Sequence, residues 1–143
     1  MWVFGYGSLM WYTNFPYVEA VPGQVFGYVR RFWQLSTDHR GTPDSPGRAV
    51  TLVPERNGSC FGIAYRVADE HVEETMNYLD IREGSGYKLN RVTFYPEDGR
   101  EPFELNVYIG YEMEKVDNMY AGILPTAEED IVKTVRGFWI FKF

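Results

Sequence analysis

The sequence predicts an α+β domain built on a largely antiparallel, barrel-like sheet. Three observations carry this. Apolar and β-branched segments read in the order β, β, α, β, β. Two Gly-containing turns sit where hairpins would close. One stretch alone, 69–83, has helical periodicity. The chain has 143 residues, 45 % of them hydrophobic and 17 % aromatic. That length suits a single domain over residues 1–143, whose core can bury roughly two-thirds of the surface an unfolded chain exposes.

The elements follow in order. Residues 3–6 form a first strand leading into a tight turn at Gly7-Ser8. Residues 25–34 are rich in aromatic and β-branched side chains and form a second strand. Residues 36–48 hold glycines, prolines, His39 and two arginines, and are expected to be a loop. Strands at 49–53 and 61–67 are separated by Glu55-Arg56-Asn57-Gly58-Ser59, which reads as a hairpin turn. Phe61, Ile63, Tyr65 and Val67 share one face by strand alternation. The helix is expected to start at Asp69 as N-cap, carry acidic residues in its first turns and stop at Gly84. A last hairpin pairs 87–95 with 103–109 around Glu97-Asp98-Gly99. Residues 112–130 read as an acidic loop, with a short helix near Thr126.

Composition excludes several classes. The net charge of −6 argues against a nucleic-acid binder of the usual basic kind. Nothing approaches the ~18 consecutive apolar residues of a membrane span, and residues 1–6 lack the basic start of a signal peptide. The single cysteine, Cys60, permits no internal disulfide and suits a reducing, cytoplasmic setting. Two histidines and one cysteine give no metal-ligand spacing, so no metal is expected. Eight of the ten arginines fall between Arg30 and Arg91, a local positive region suited to a small carboxylate-bearing ligand.

Glu83 breaks the pattern most sharply. Val72, Met76 and Leu79 mark the apolar stripe of the helix, and the next step of four lands on Glu83. A carboxylate there continues a buried face and sits at the negative end of the helix dipole. Both effects favour the raised pKa that a general acid/base needs. Periodicity alone leaves a bland reading equally open, in which Glu83 rotates out of a frayed last turn or pairs with an arginine. Glu74 lies off the stripe and reads as a solvated face residue.

Gly5-Tyr6-Gly7-Ser8-Leu9 follows a strand directly. Its glycines permit positive φ and close approach of a ligand, and its N–H groups suit an anion. A plain strand-end turn is the competing reading. A dinucleotide fingerprint fits poorly, because Met10 occupies the third glycine position and no βαβ unit is visible. A Cys60/His39 nucleophilic pair is also weak, since Cys60 reads as a small buried residue.

Three ordered blocks carry a family resemblance. They are Val3-Phe4-Gly5-Tyr6-Gly7-Ser8-Leu9; the stretch from Arg30-Arg31-Phe32-Trp33-Gln34 through Ser36-Thr37-Asp38-His39-Arg40-Gly41 to Pro46-Gly47-Arg48; and Tyr78-Leu79-Asp80-Ile81-Arg82-Glu83 with Gly86-Tyr87. Together they resemble the glutathione-specific branch of the ChaC-like γ-glutamyl cyclotransferases over about residues 1–131. The resemblance implies a γ-glutamylcyclotransferase-like fold with flanking helices. It implies that Tyr6, Gly7, Ser8 and Leu9 cradle the γ-glutamyl group, that Glu83 is the catalytic acid/base, and that a glutamate at the position of Glu74 influences a loop over the site. The implied reaction converts glutathione to 5-oxoproline and cysteinylglycine with no cofactor. Arg31, Arg40 and Arg48 are candidates, by charge, to meet the glycine carboxylate of glutathione. Relatives continue past Ile131 with a further helical segment, whereas this chain reads Val132-Lys133-Thr134-Val135-Arg136-Gly137-Phe138-Trp139. The end is therefore expected to be shortened or replaced. A second function follows from that: a non-catalytic γ-glutamyl-binding or protein-binding module.

Overall fold

The computed structural model describes residues 1–36, 47–83 and 86–110. Five strands form a closed barrel: β1 (Trp2–Gly5), β2 (Glu19–Ser36), β3 (Gly47–Arg66), β4 (Tyr87–Pro96) and β5 (Phe103–Gly110). The order around the barrel is β1-β3-β2-β4-β5. Four pairings are antiparallel, and one parallel contact, Val3 beside Asn106, joins β5 back to β1. The single helix among the described residues, α1 (Val72–Glu83), packs on the outside.

The core has two compartments because β1 and β3 bury both faces. Phe4, Cys60 and Ala64 point into the barrel with Val25, Leu52, Phe94, Leu105, Val107 and Ile109. Val3, Tyr65 and Val67 point outward and pack with Leu9, Phe15 and Leu79 beneath α1. The shared face expected for Leu105, Val107 and Ile109 is thus the barrel interior, with Phe103 packed at its edge. Of the shared face expected on β3, Tyr65 and Val67 are buried while Phe61 is exposed. Fully burying a side chain of this size stabilises by about 1.5–3 kcal/mol.

Three local expectations change. First, Asn57-Gly58 does not close a hairpin. β3 runs on without reversing, and residues 55–58 bulge outward opposite Gly27 alone, between the pairs Phe26↔Ser59 and Tyr28↔Pro54. Gly27 has φ +84, which lets β2 bend at this point. The two strands foreseen at 49–53 and 61–67 are one, because the long β2 offers a continuous edge on both sides of the bulge. Second, Asp69 does not cap the helix. It begins a short 3-10 turn, Asp69–His71, whose N-cap position is Ala68 with no side-chain cap bond. Third, the buried residues of α1 are Thr75 and Leu79, and Met76 is only partly covered. The closing hairpin matches expectation to within a residue, with Gly99 at φ +83 in its turn. The ends of the loop expected at 36–48 are strand instead, Ser36 closing β2 and Gly47-Arg48 opening β3, because the two strands go on pairing there. The rest of that loop, the stop at Gly84, and everything foreseen beyond residue 110, including an altered end, lie outside the described residues.

Phe94 joins the interior aromatics, with ring centroids 5.7 Å from Phe4 and 5.4 Å from Phe103. Phe94→Ala is expected to cost about 3–5 kcal/mol in urea denaturation. Ile81→Ala, at a position 83 % exposed, is expected to stay within about 0.5 kcal/mol.

Candidate active site

The site lies where the turn after β1 meets the C-terminal end of α1. Gly7 leads into a 3-10 turn over Ser8–Met10, in which the Met10 N–H donates to the Gly7 carbonyl at 3.0 Å. Gly7 and Gly5 have no positive φ. Glycine is needed at 7 for a different reason: a Cβ would strike Val50 on β3. Leu9 is buried beneath α1 and anchors the turn there.

Arg82 ties this turn to the helix. Its guanidinium donates to Ser8 Oγ at 2.8 Å, to the Tyr12 carbonyl at 2.8 Å and to Tyr78 Oη at 3.2 Å. Its Nε lies 3.5 Å from Glu83 Oε1. The Glu83 side chain is only 19 % exposed. The carboxylate at the end of the helical stripe is therefore largely shielded from solvent, paired with Arg82, and close enough to act on the Tyr6 and Tyr108 phenols.

Beneath the turn lies a polar floor at one end of the barrel. The Tyr6 hydroxyl is buried and donates to the Tyr108 carbonyl at 2.6 Å. Burial above all, then the Tyr87 phenol and the Glu83 charge, hold the Tyr6 phenol well above its ordinary pKa, against a bond to Thr51 that lowers it. Thr51 accepts from the Gly110 N–H at 2.8 Å. Tyr87 donates to the Val50 carbonyl at 2.6 Å. Tyr108 donates to Asp80 Oδ1 at 2.5 Å; burial first, then Asp80 and Glu83, push that phenol up as well. Glu83 thus faces two tyrosines kept in their neutral, hydrogen-donating form.

Gln34 completes the floor. It is 1 % exposed, and neither its Oε1 nor its Nε2 has a hydrogen-bond partner among the described residues. A buried polar group left unpaired costs about 1–3 kcal/mol.

Of the other expected residues, Glu74 and Arg31 are described and lie on the exposed surface. Glu74 is 81 % exposed on the solvent side of α1, beside His71 at 3.8 Å. Arg31 is exposed and donates to the Arg30 carbonyl at 2.8 Å. Arg48 pairs with Leu35 in the β2–β3 ladder, and no more than its backbone position is described. Arg40 and His39 lie outside the described residues. Burial pushes the Cys60 thiol up, despite the opposing Arg30 guanidinium, which is contrary to what a nucleophile needs. Sequence reasoning gave no role to Arg82, Thr51, Tyr87 or Gln34. Arg82 carried a usable signal, since it neighbours Glu83. Thr51 and Gln34 carried only that of polar residues inside apolar strands.

Comparison with known proteins fits this arrangement. The family model described as ChaC-like protein matches residues 1–137. The chain belongs to the ChaC-like family. A mouse protein named glutathione-specific gamma-glutamylcyclotransferase 1 is 41 % identical over 145 residues, which cover 96 % of this chain and 62 % of the mouse protein. An Arabidopsis thaliana protein named gamma-glutamylcyclotransferase 2-3 is 42 % identical over 139 residues, covering 94 % of this chain and 69 % of the plant protein. The ChaC-like chain thus spans less than two-thirds of the mouse relative's length. A crystal structure of a yeast γ-glutamyl cyclotransferase specific to glutathione superposes with TM-score 0.79 at 28 % identity, covering 94 % of this chain and 77 % of the yeast one. A second structure, of a γ-glutamyl cyclotransferase at 10 % identity, superposes at 0.59 and shares the fold. The expected γ-glutamylcyclotransferase-like fold is the fold of this ChaC-like domain.

Two outcomes follow from the site. Arg82→Ala removes two hydrogen bonds between α1 and the loop and one within α1, and is expected to lower stability by about 1–3 kcal/mol in urea denaturation. The raised phenols set an alkaline dependence. An unfolded tyrosine ionises near pH ~10, while folded Tyr6 stays protonated beyond it. Above about pH 10 the unfolded state binds fewer protons, so stability falls as pH rises toward the folded value. Tyr6→Phe is expected to flatten that decline when unfolding is followed between about pH 9 and 11.

Proposed function

We propose that this chain is a glutathione-specific γ-glutamyl cyclotransferase, a lyase that releases 5-oxoproline and cysteinylglycine. One observation carries the reading: a largely buried carboxylate, Glu83, lies beside Arg82, whose guanidinium is bonded to Ser8 of the Tyr6-Gly7-Ser8-Leu9 turn. The names of the mouse and yeast relatives support glutathione as the substrate.

The chemistry follows from what the residues can do. The turn and the floor fold the flexible γ-glutamyl chain so that its α-amino group reaches its own γ-carbonyl, which replaces a search through conformations by a near-attack geometry. Glu83 takes a proton from the amine, and the nitrogen attacks the γ-carbon to form the five-membered ring. The γ-amide C–N bond breaks, and Glu83 returns the proton to the departing nitrogen of cysteinylglycine. Amides at the start of the Ser8–Met10 turn have no partner within the turn, and they suit the oxyanion or the α-carboxylate. The neutral Tyr6 and Tyr108 phenols line the floor without adding a negative charge beside Glu83. Arg31, Arg40 or Arg48 would meet the glycine carboxylate. Glu74, at the solvent side, would act through a loop and not on the reacting atoms.

No helix among the described residues is long and apolar enough to cross a membrane. The single cysteine, which is buried and free, suits a reducing compartment, and the reaction is assigned on that ground to the cytoplasmic breakdown of glutathione.

The experiment is to follow 5-oxoproline and cysteinylglycine released from glutathione by the wild-type chain and by Glu83→Gln. Product from the wild type and a loss of at least about a hundredfold in a folded Glu83→Gln is the expected result. Equal activity of the two would remove Glu83 from the mechanism. A folded wild type that binds glutathione without turnover would favour the binding-module reading.

A further inference from the structure

We propose that the Gln34 carboxamide reads the α-amino-acid end of the γ-glutamyl group, with Oε1 accepting from the α-amino nitrogen and Nε2 donating to the α-carboxylate. This rests on the reaction proposed above and assigns a specificity-determining contact within it.

The placement of Gln34 is built, not incidental. Between the pairs Arg31↔Thr51 and Gln34↔Ala49, two residues of β2, Phe32 and Trp33, oppose Val50 alone. With an unbroken register Gln34 would face Arg48, and its side chain would share the opposite side of the ribbon. The bulge turns it to the side that carries Thr51. There the carboxamide lies against two glycines. A Cβ at Gly86 would collide with Nε2, and one at Gly110 would collide with Oε1 and crowd Thr51. Gly86 also has φ +99, a conformation suited to glycine. Two glycine backbones thus lie close against the polar atoms of a buried amide, and among the described residues neither atom finds a hydrogen bond.

Such a group fits a ligand that brings one donor and one acceptor close together. The α-carbon of a γ-glutamyl group carries that pair. The chemistry also favours an amide over a charged side chain. An arginine would hold the carboxylate but repel the ammonium, and a carboxylate would keep the amine protonated. The neutral Oε1 holds an N–H while leaving the nitrogen free to lose a proton to Glu83 and attack. Glu83 lies three residues before Gly86 in the chain, and Tyr6 shares Thr51 with the same floor.

The test uses Glu83→Gln as a background that binds without turning over. Affinities for glutathione and for glutaryl-cysteinylglycine, which lacks the α-amino group, are measured by calorimetry with and without Gln34→Met. The expected result is a preference for glutathione in Glu83→Gln. Adding Gln34→Met cuts glutathione affinity by about tenfold or more and abolishes the preference, while Tm stays level or rises because an unpaired buried amide has gone. An unchanged preference, or equal losses for both ligands with a lower Tm, would overturn the proposal and leave the reaction standing. No binding of glutathione to Glu83→Gln, together with no 5-oxoproline from wild type, would remove the reaction itself and the proposal with it. If Gln34→Met does not fold, the side-chain amide NMR resonance of Gln34 in Glu83→Gln decides. It is expected to shift on adding glutathione, and no shift would overturn the assignment.

Discussion

The structure depends on the contact that joins β1 to β5. β1 is four residues long, pairs with β3 on one edge and meets β5 on the other. Both of its faces are buried, Phe4 within the barrel and Val3 beneath the helix. A strand held on two edges and two faces has no freedom to drift. The residues that leave it, Tyr6 to Leu9, therefore emerge at a fixed place beside the ends of β4 and β5. Without closure, the Tyr6 hydroxyl could not reach the Tyr108 carbonyl across 102 residues of sequence.

Upon that fixed point the electrostatics are arranged. Glu83 acts on phenols that remain neutral and lies beside the guanidinium of Arg82, while the Asp80 carboxylate accepts from Tyr108. Arg82 spends its donors on Ser8, Tyr12 and Tyr78, so its geometry is determined by the loop and the helix together. Its role in this arrangement is positional. It holds the two chain segments at one distance, and so sets how far Glu83 stands from the turn.

Much of this was legible in the sequence, for reasons that differ by element. The β4–β5 hairpin was clear because Gly99 and strict alternation on β5 act locally. Glu83 was visible because an apolar stripe makes a carboxylate conspicuous. The 3-10 start of the helix and the passage of β3 through Asn57-Gly58 were not, since tertiary pairing with β2 overrode the local turn preference. Gln34 was hidden by the bulge beside it: alternation counts residues, and a bulge changes the count. The arginine cluster is a less direct guide for a simpler reason. Charge in sequence says nothing of direction, and Arg31 faces solvent while Arg82, outside the candidate set, reaches the turn.

The outward excursion of residues 55–58 has a consequence for how the fold tolerates change in length. In an unbroken ladder, one inserted residue would reverse every side chain beyond it. Here the excursion already carries slack, and residues 55–57 are exposed to solvent. An added or lost residue among them would be absorbed locally, while Gly58, packed against Val29 and the Tyr28 carbonyl, keeps the return fixed. The far half of the ribbon, with Thr51 and Gln34, is insulated from such slippage. Lineages of this fold can therefore vary in length at that point, and an epitope or fluorophore can be spliced in there, without moving the floor on which the site rests.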